Sequence, residues 1–363
     1  MPKVIICGAG LVGALNACFF AKRGWDVTVF ELREDIRKLE HVAGRSINLA
    51  LSVRGKAALE KVGLREYIEE QGVKMFSRLV HGRDGRLSQR LHYGKPGECI
   101  VSINRRHLNE VMISTAEKFD RVQFYFRHKL AATSLSGGAV IVEDLTTGAT
   151  IRESADLICG CDGAHSAMRR SFMAVPMFQY SHEYINHGYI ELNILPTDTG
   201  DFAMEPNVFH LWPRGAYTLI ALANMDKTFT VTLFAPYAVF DSLRNDEDIV
   251  RFFQSNFVDA TRLIGAEAIL ETFHRCKGPS SLLSVKCRPY DFGKRFLLMG
   301  DAAHAMVPFY GQGMNCGFED CLILSETLDQ FEDAGNASKL AVDIQGAIER
   351  ARNETEERSE SRD

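Results

Sequence analysis

The sequence predicts an α/β protein in which a Rossmann-like nucleotide-binding domain is interleaved with a second, β-sheet domain. Three observations lead there. The chain opens with a short apolar strand, a Gly-rich turn, a helical stretch and a second strand that ends in an acid. Two further apolar strands, far downstream, run into Asp-Gly and Gly-Asp turns. Between them, residues 180–234 alternate β-branched and aromatic residues, broken by Pro and Gly, as a separate antiparallel sheet would.

Composition narrows the partners. With 363 residues and 46% hydrophobic content, the chain can bury one large core, or a nucleotide-binding core and a smaller neighbour. A net charge of -5, with basic and acidic residues mixed throughout, gives no general attraction to nucleic acid or to an anionic membrane. A small molecule is the expected partner. The nine cysteines form no CxxC pair, and Cys159 and Cys161 sit in an apolar run, so reduced thiols and no metal site are expected. The first strand starts at Lys3, leaving no room for a signal peptide, and no run approaches the ~18 apolar residues of a membrane span.

In order along the chain, residues 3–7, 14–23 and 26–30 read as a βαβ unit. Helical patterns over 54–71 precede paired strands at 76–82 and 87–93, joined through Arg83-Asp84-Gly85. A helix over 106–119 leads to a strand at 122–126, a hairpin through Gly137-Gly138, and an apolar strand at 155–161. After the β-rich stretch come helices near 246–256 and 264–269, a buried strand at 296–299 and a helix over 313–331. Residues 349–363 are almost wholly polar and read as a frayed tail.

Gly8-Ala9-Gly10-Leu11-Val12-Gly13 lies between the first strand and helix. Gly8 suits the tight turn, Gly10 lets backbone approach a pyrophosphate, Gly13 lets helix and strand pack closely, and the helix N-terminus faces the phosphates. Glu31, ending the second strand, suits a ribose 2′-OH, which favours FAD or NAD without choosing between them. Two later clusters add to this. The strand before Asp162-Gly163 is followed by small and basic residues through Arg169. The strand before Gly300-Asp301 delivers one carboxylate where a polyol could bind, and Gly311-Gln312-Gly313-Met314-Asn315 opens a helix whose N–H groups suit a phosphate or ring carbonyl. His304 is expected to cap or pack the Gly-Asp turn rather than act as a base.

These three clusters, in this order, resemble the flavoprotein monooxygenases of the para-hydroxybenzoate hydroxylase class. Within that class the wording of residues 44–52 (GRSINLALS), 187–189 (HGY), 202–207 (FAMEPN) and 307–315 (VPFYGQGMN) resembles the kynurenine 3-monooxygenases, over about residues 1–330. The resemblance implies FAD-binding segments at 1–75, 101–178 and 285–330, a substrate-binding β-sheet domain from 76–100 and 179–284, and a short helical or charged tail at 331–363. By matching position it implies cofactor contacts at Val12, Glu31, Arg33, Ala50, Arg105, Leu130, Asp301, Met314 and Asn315, beside Gly8, Gly10, Gly13 and Asp162. Arg105 opens a helix, where a guanidinium can hold phosphate, although Arg106 could take that role. Substrate contacts are implied at Arg78 and Tyr93 for an amino-acid carboxylate, and at Ile220, Leu222 and Phe234 around the ring. Phe309, Tyr310 and Gln312 would lie between flavin and ring.

The same resemblance implies the reaction. NADPH reduces FAD, O₂ adds at C4a, and the hydroperoxide delivers oxygen to the ring of L-kynurenine, giving 3-hydroxykynurenine with no catalytic side chain required. No second GxGxxG is present for NADPH, in keeping with the class. Members of the family carry a helical C-terminal region with further substrate residues, and a segment that anchors them to the outer mitochondrial membrane facing the cytosol. Beyond about Phe331 no match to either is found, so a soluble cytoplasmic chain with an opened site is expected. The alternatives are a truncated FAD-binding form with weak or uncoupled activity, or a relative acting on another aromatic acid.

Overall fold

The computed structural model describes residues 1–40, 48–86, 89–293 and 295–332. Its first layer is a six-stranded sheet in the order Asp291–Phe292, Phe296–Leu298, Leu157–Gly160, Lys3–Cys7, Asp26–Glu31, Val122–Phe126. Every neighbouring pair is parallel except the first. Its strands are short, continuous apolar runs, as a sheet covered on both faces requires. The consequence is positional: Cys7 lies beside Gly160 and Gly160 beside Leu298, so three strand ends far apart in sequence open at one edge of one sheet. Helix Leu11–Lys22 is buried along nearly its whole length, with helices Arg105–Ala116 and Gly313–Glu332 packed against it.

The second layer is a seven-stranded sheet, ordered Ser280–Arg288, Gln179–Ile194, Phe229–Pro236, Thr218–Ala223, Val208–Pro213, Ser77–Val80, Gln89–His92. It is antiparallel except where Val208–Pro213 meets Ser77–Val80. Alternation divides its faces. Ile190, Leu192 and Ile194 point into a core shared with helices Asp246–Asn256, Val258–Ile264 and Ala266–Arg275, whereas His187 and Tyr189 point the other way. Three-stranded sheets built on Ile100–Asn104 and Ala139–Asp144 complete the frame.

Several boundaries moved from those expected. The first helix starts at Leu11 rather than near 14, because Gly13 is accommodated inside its first turn. The helix expected over 264–269 is two helices, Val258–Ile264 and Ala266–Arg275, separated by Gly265 at φ 86°, a conformation that ends one helix and suits glycine. Strands Asn48–Leu51 and Ser280–Arg288 had no clear periodic signal; the latter crosses the expected division at 284/285. Gly44–Ile47 of the GRSINLALS run and residues 333–363 of the tail lie outside the described residues. Among the described residues no helix is long and apolar enough to cross a membrane, and no cysteine is in a disulfide.

Candidate functional site

A cavity of about 970 Å³ lies where the two large sheets meet, and its wall passes from Gly10, Val12, Cys161, Gly163 and Asp301 to Arg78 and Tyr93. Glycine packing explains the first end. Gly8 takes φ 104°, and a Cβ there would lie 2.4 Å from the Cys161 carbonyl oxygen; a Cβ on Gly13 would lie 1.8 Å from the Gly8 oxygen. Both are required by the fold. Gly10 is different, because its φ of -68° suits any residue and a Cβ would meet nothing within 4 Å. The space over Gly10 is open, and helix Leu11–Lys22 begins there with no side-chain cap on its N–H groups.

Val12 joins this turn to the third cluster. It is wedged between Gly300 and Gly317, where added Cβ atoms would approach its Cγ2 to 2.8 and 2.5 Å. Helix Gly313–Glu332 can thus cross close enough to bring Gln312, Gly313 and Met314 to the cavity wall. Asn315 is fully buried: it donates to the carbonyls of Ala50 (2.9 Å) and Gly311 (3.1 Å) and accepts from the Ser52 N–H (2.9 Å). Its side chain braces Ala50, itself on the wall, so only its backbone is left for a ligand. Asp162 caps helix Ala167–Phe172 through Oδ2, at 2.6 Å from the Ala167 nitrogen and 3.2 Å from that of Met168, while its buried Oδ1 has no protein partner. Buried Arg169 ties that loop to the next cluster by donating to the Ala302 carbonyl at 2.7 Å.

Glu31, Arg33 and Leu130 lie off this wall. Glu31 accepts from the N–H groups of Ala9 (2.7 Å) and Arg33 (2.9 Å), bracing the glycine turn. Arg33 pairs its carbonyl with Arg127, next to strand His128–Ser134, in which Leu130 is buried. Of the two arginines that open helix Arg105–Ala116, Arg106 is occupied with Glu110 and the carbonyls of Ile36, Leu39 and Glu40, whereas Arg105 lines the cavity. His304 is held 2.7 Å from Asp320, whose same oxygen accepts the Gly300 N–H at 2.9 Å. Burial alone would push its imidazole down, but the Asp320 carboxylate reverses that and holds it well above the usual histidine range.

At the other end, Arg78 lies on strand Ser77–Val80 and Tyr93 directly follows its partner strand Gln89–His92, where its N–H donates to the Phe76 carbonyl at 3.0 Å. Arg78 Nε donates to the Tyr93 hydroxyl at 3.2 Å, and its guanidinium stands over the Tyr93 and Phe209 rings. Burial raises the Tyr93 hydroxyl above its ordinary value, partly offset by Arg78. Ile220, Leu222 and Phe234 line the apolar stretch between, with Phe309 edge-on to Phe234 at 5.7 Å. Tyr310 and Gln312 lie on the same wall, and Gln312 donates to the Tyr310 carbonyl at 3.2 Å. His187 and Tyr189, which entered only as part of the HGY run, and Phe209 also line the cavity; each alternates on a strand as a core residue does, so none was expected as a site residue.

An extended dinucleotide fits these residues. An open place over a glycine the fold does not need, uncapped helix N–H groups and the Asp301 carboxylate adjoin one slot, with the unpartnered Asp162 oxygen just behind its wall residues Cys161 and Gly163, a donor and acceptor set that suits a pyrophosphate with polyol arms. Residues 1–344 match the family model described as FAD binding domain, so the chain is a flavoprotein of that class. It is 56% identical over 360 residues to kynurenine 3-monooxygenase from Caenorhabditis elegans, covering 94% of this chain and 78% of the relative. It is 46% identical over 332 residues to that of Sus scrofa, covering 91% and 69%. The chain belongs to the kynurenine 3-monooxygenase family. Its fold matches that of 2-methyl-3-hydroxypyridine-5-carboxylic acid oxygenase with a TM-score of 0.74, at 19% identity over 100% of this chain and 92% of that one.

Proposed function

We propose that the chain is an FAD-dependent monooxygenase that uses NADPH and O₂ to hydroxylate L-kynurenine at ring position 3. The observation that carries this reading is the continuous cavity wall from Gly10 and Asp301 to Arg78 and Tyr93. Bound FAD supplies the redox chemistry, accepting hydride from NADPH and activating O₂ so that one oxygen atom reaches the substrate ring.

The chain's residues bind, orient and exclude water. The N–H groups following Gly10 suit the pyrophosphate, with Gly8 and Gly13 shaping the turn and Arg105 adding a guanidinium. Glu31, Arg33 and Leu130 form the adenosine end, where Glu31 keeps lone pairs for a ribose hydroxyl. Asp162 and Asp301 suit hydroxyl groups along the cofactor. Backbone N–H groups at Met314 and Asn315, with Val12 and Ala50 beneath, suit the ring carbonyl. Arg78 and Tyr93 hold the substrate carboxylate, Ile220, Leu222 and Phe234 grip its ring, and Phe309, Tyr310 and Gln312 keep water from the reacting face. We take segments 1–75, 101–178 and 285–330 as the cofactor unit, and 76–100 with 179–284 as the substrate unit.

The test is product analysis with NADPH. Purified protein should oxidise NADPH faster when L-kynurenine is added, and form 3-hydroxykynurenine. Hydroxylation of a salicylate-like acid with none of kynurenine would overturn the substrate assignment; NADPH oxidation that yields only H₂O₂ would overturn the hydroxylase reading of this chain.

A further inference from the structure

The hairpin that carries Arg78 and Tyr93 is a projecting arm. Strand Gln89–His92 is the outermost of its sheet and exposed along its length, and the hairpin joins the sheet through one short parallel ladder, Ser77–Val80 with Val208–Pro213. Isolated hairpins are marginal, so Arg78 needs additional anchorage. Part of it comes from residues 202–207, a run with no role so far. The Glu205 carboxylate accepts two bonds from Arg90, at 3.0 and 2.6 Å, and the Asn207 carbonyl accepts the Phe76 N–H at 3.0 Å.

The rest lies behind the sheet, away from the cavity. His210 Nε2 is 2.8 Å from the Glu205 carbonyl oxygen, and its Nδ1 is 2.9 Å from His81 Nε2. His81 Nδ1 is 2.8 Å from Asp259 Oδ2, and the same carboxylate accepts from the Trp212 indole N–H at 2.9 Å. The His81 ring stacks on Trp212 at 4.0 Å. Proton positions along this chain are dictated by its ends. A carbonyl oxygen only accepts, so His210 carries its hydrogen on Nε2. Burial drives the His210 imidazole down to about 4, leaving it neutral near pH 7 with Nδ1 as an acceptor. Both His81 ring nitrogens are engaged, Nε2 with His210 and Nδ1 with the Asp259 carboxylate.

We propose that His81 is a positioning residue for substrate binding, whose ring bridges His210 and Asp259 and so pins the Arg78 strand, and whose removal loosens Arg78 and weakens affinity for the substrate carboxylate. This rests on the reading of Arg78 as the carboxylate's partner. Other charges face the pair. Arg214 donates to the carbonyls of His81 (3.0 Å) and Gly82 (2.9 Å), Arg83 stands in the adjoining turn, and Glu205 is paired with Arg90. Asp259 is held below the usual carboxylate range because its bonds to His81 and Trp212 outweigh burial. His81, His210 and Asp259 do not line the cavity, so they act through the strand.

The experiment compares His81→Gln with the unchanged chain and with Arg78→Gln, by FAD content, kcat and KM for L-kynurenine. His81→Gln should keep its flavin and hold kcat within about two-fold, while KM rises roughly ten-fold, as expected for one lost bond to a carboxylate. A KM for His81→Gln equal to that of the unchanged chain, while Arg78→Gln raises KM, overturns the proposal alone. If Arg78→Gln also leaves KM unchanged, the carboxylate reading falls and takes the proposal with it. Asp259→Asn, which weakens the same bridge from its other end, should likewise raise KM with flavin retained; an unchanged KM in that variant overturns the proposal.

Discussion

The two ends of the cavity are built on different principles. At the six-stranded sheet the surface offered to a ligand is mostly backbone: helix N–H groups, glycine turns, and carboxylates held by N–H bonds, as Glu31 and Asp162 are. At the seven-stranded sheet the surface is side chains that alternate along strands, such as Ile220 and Leu222, with Arg78 and Tyr93 on a hairpin at the sheet's outer end. Backbone sites need specific residues mainly where a Cβ would intrude. Side-chain sites can be rewritten residue by residue on an unchanged fold, so substrate choice is expected to reside there.

The largest predicted effects separate the two kinds of glycine in the first region. Gly13→Ala places a Cβ 1.8 Å from the Gly8 oxygen, so the apoprotein should lose about 3 kcal/mol or more in denaturant unfolding, or fail to fold. Gly10→Val should leave the melting temperature of the apoprotein within about 1 °C, yet weaken FAD binding by roughly 100-fold, because it fills the open space proposed for the pyrophosphate. If Gly10→Val retains full flavin, the backbone account of that end is broken.

Next in size is Arg78→Gln. Removing a charged partner of a carboxylate should raise KM for kynurenine by about 10- to 100-fold at unchanged flavin content, measured by steady-state kinetics. Ile220→Ala removes only part of an apolar wall, so KM should rise about five-fold, again without flavin loss. An effect of either change on FAD affinity would show that the two ends are not separable.

The smallest effect is a pH dependence of stability. Burial raises the Glu191 carboxyl from 4.5 to about 7, with Arg105 partly opposing, and its Oε1 is buried without a partner. A carboxyl raised on folding contributes stability that is complete below about 4.5 and lost as pH climbs through 7. The apoprotein should therefore melt lower at pH 8 than at pH 5, and Glu191→Gln should shrink that difference.

The same contrast explains what could be read in the sequence. The glycine spacings, Asp162, Asp301 and the strands beneath them were legible because a parallel sheet edge and a helix start impose local residue choices. Ile220, Leu222 and Phe234 carry the periodicity of ordinary core, and only a family resemblance could single them out. Choosing between Arg105 and Arg106 needed the carbonyls of Ile36 and Leu39, which come from elsewhere in the chain. The bond from Gly300 to Asp320 and the His81–His210–Asp259 chain join residues with no local signature, and folding alone brings them together.

The central claim is that cofactor and substrate share one cavity. Titrating the purified yellow protein with L-kynurenine while recording its flavin absorption bands tests that most directly. A saturable shift of the bands, lost in Arg78→Gln with flavin content unchanged, is the result this account predicts. Kynurenine binding, measured by calorimetry, with no change in the flavin spectrum would contradict it.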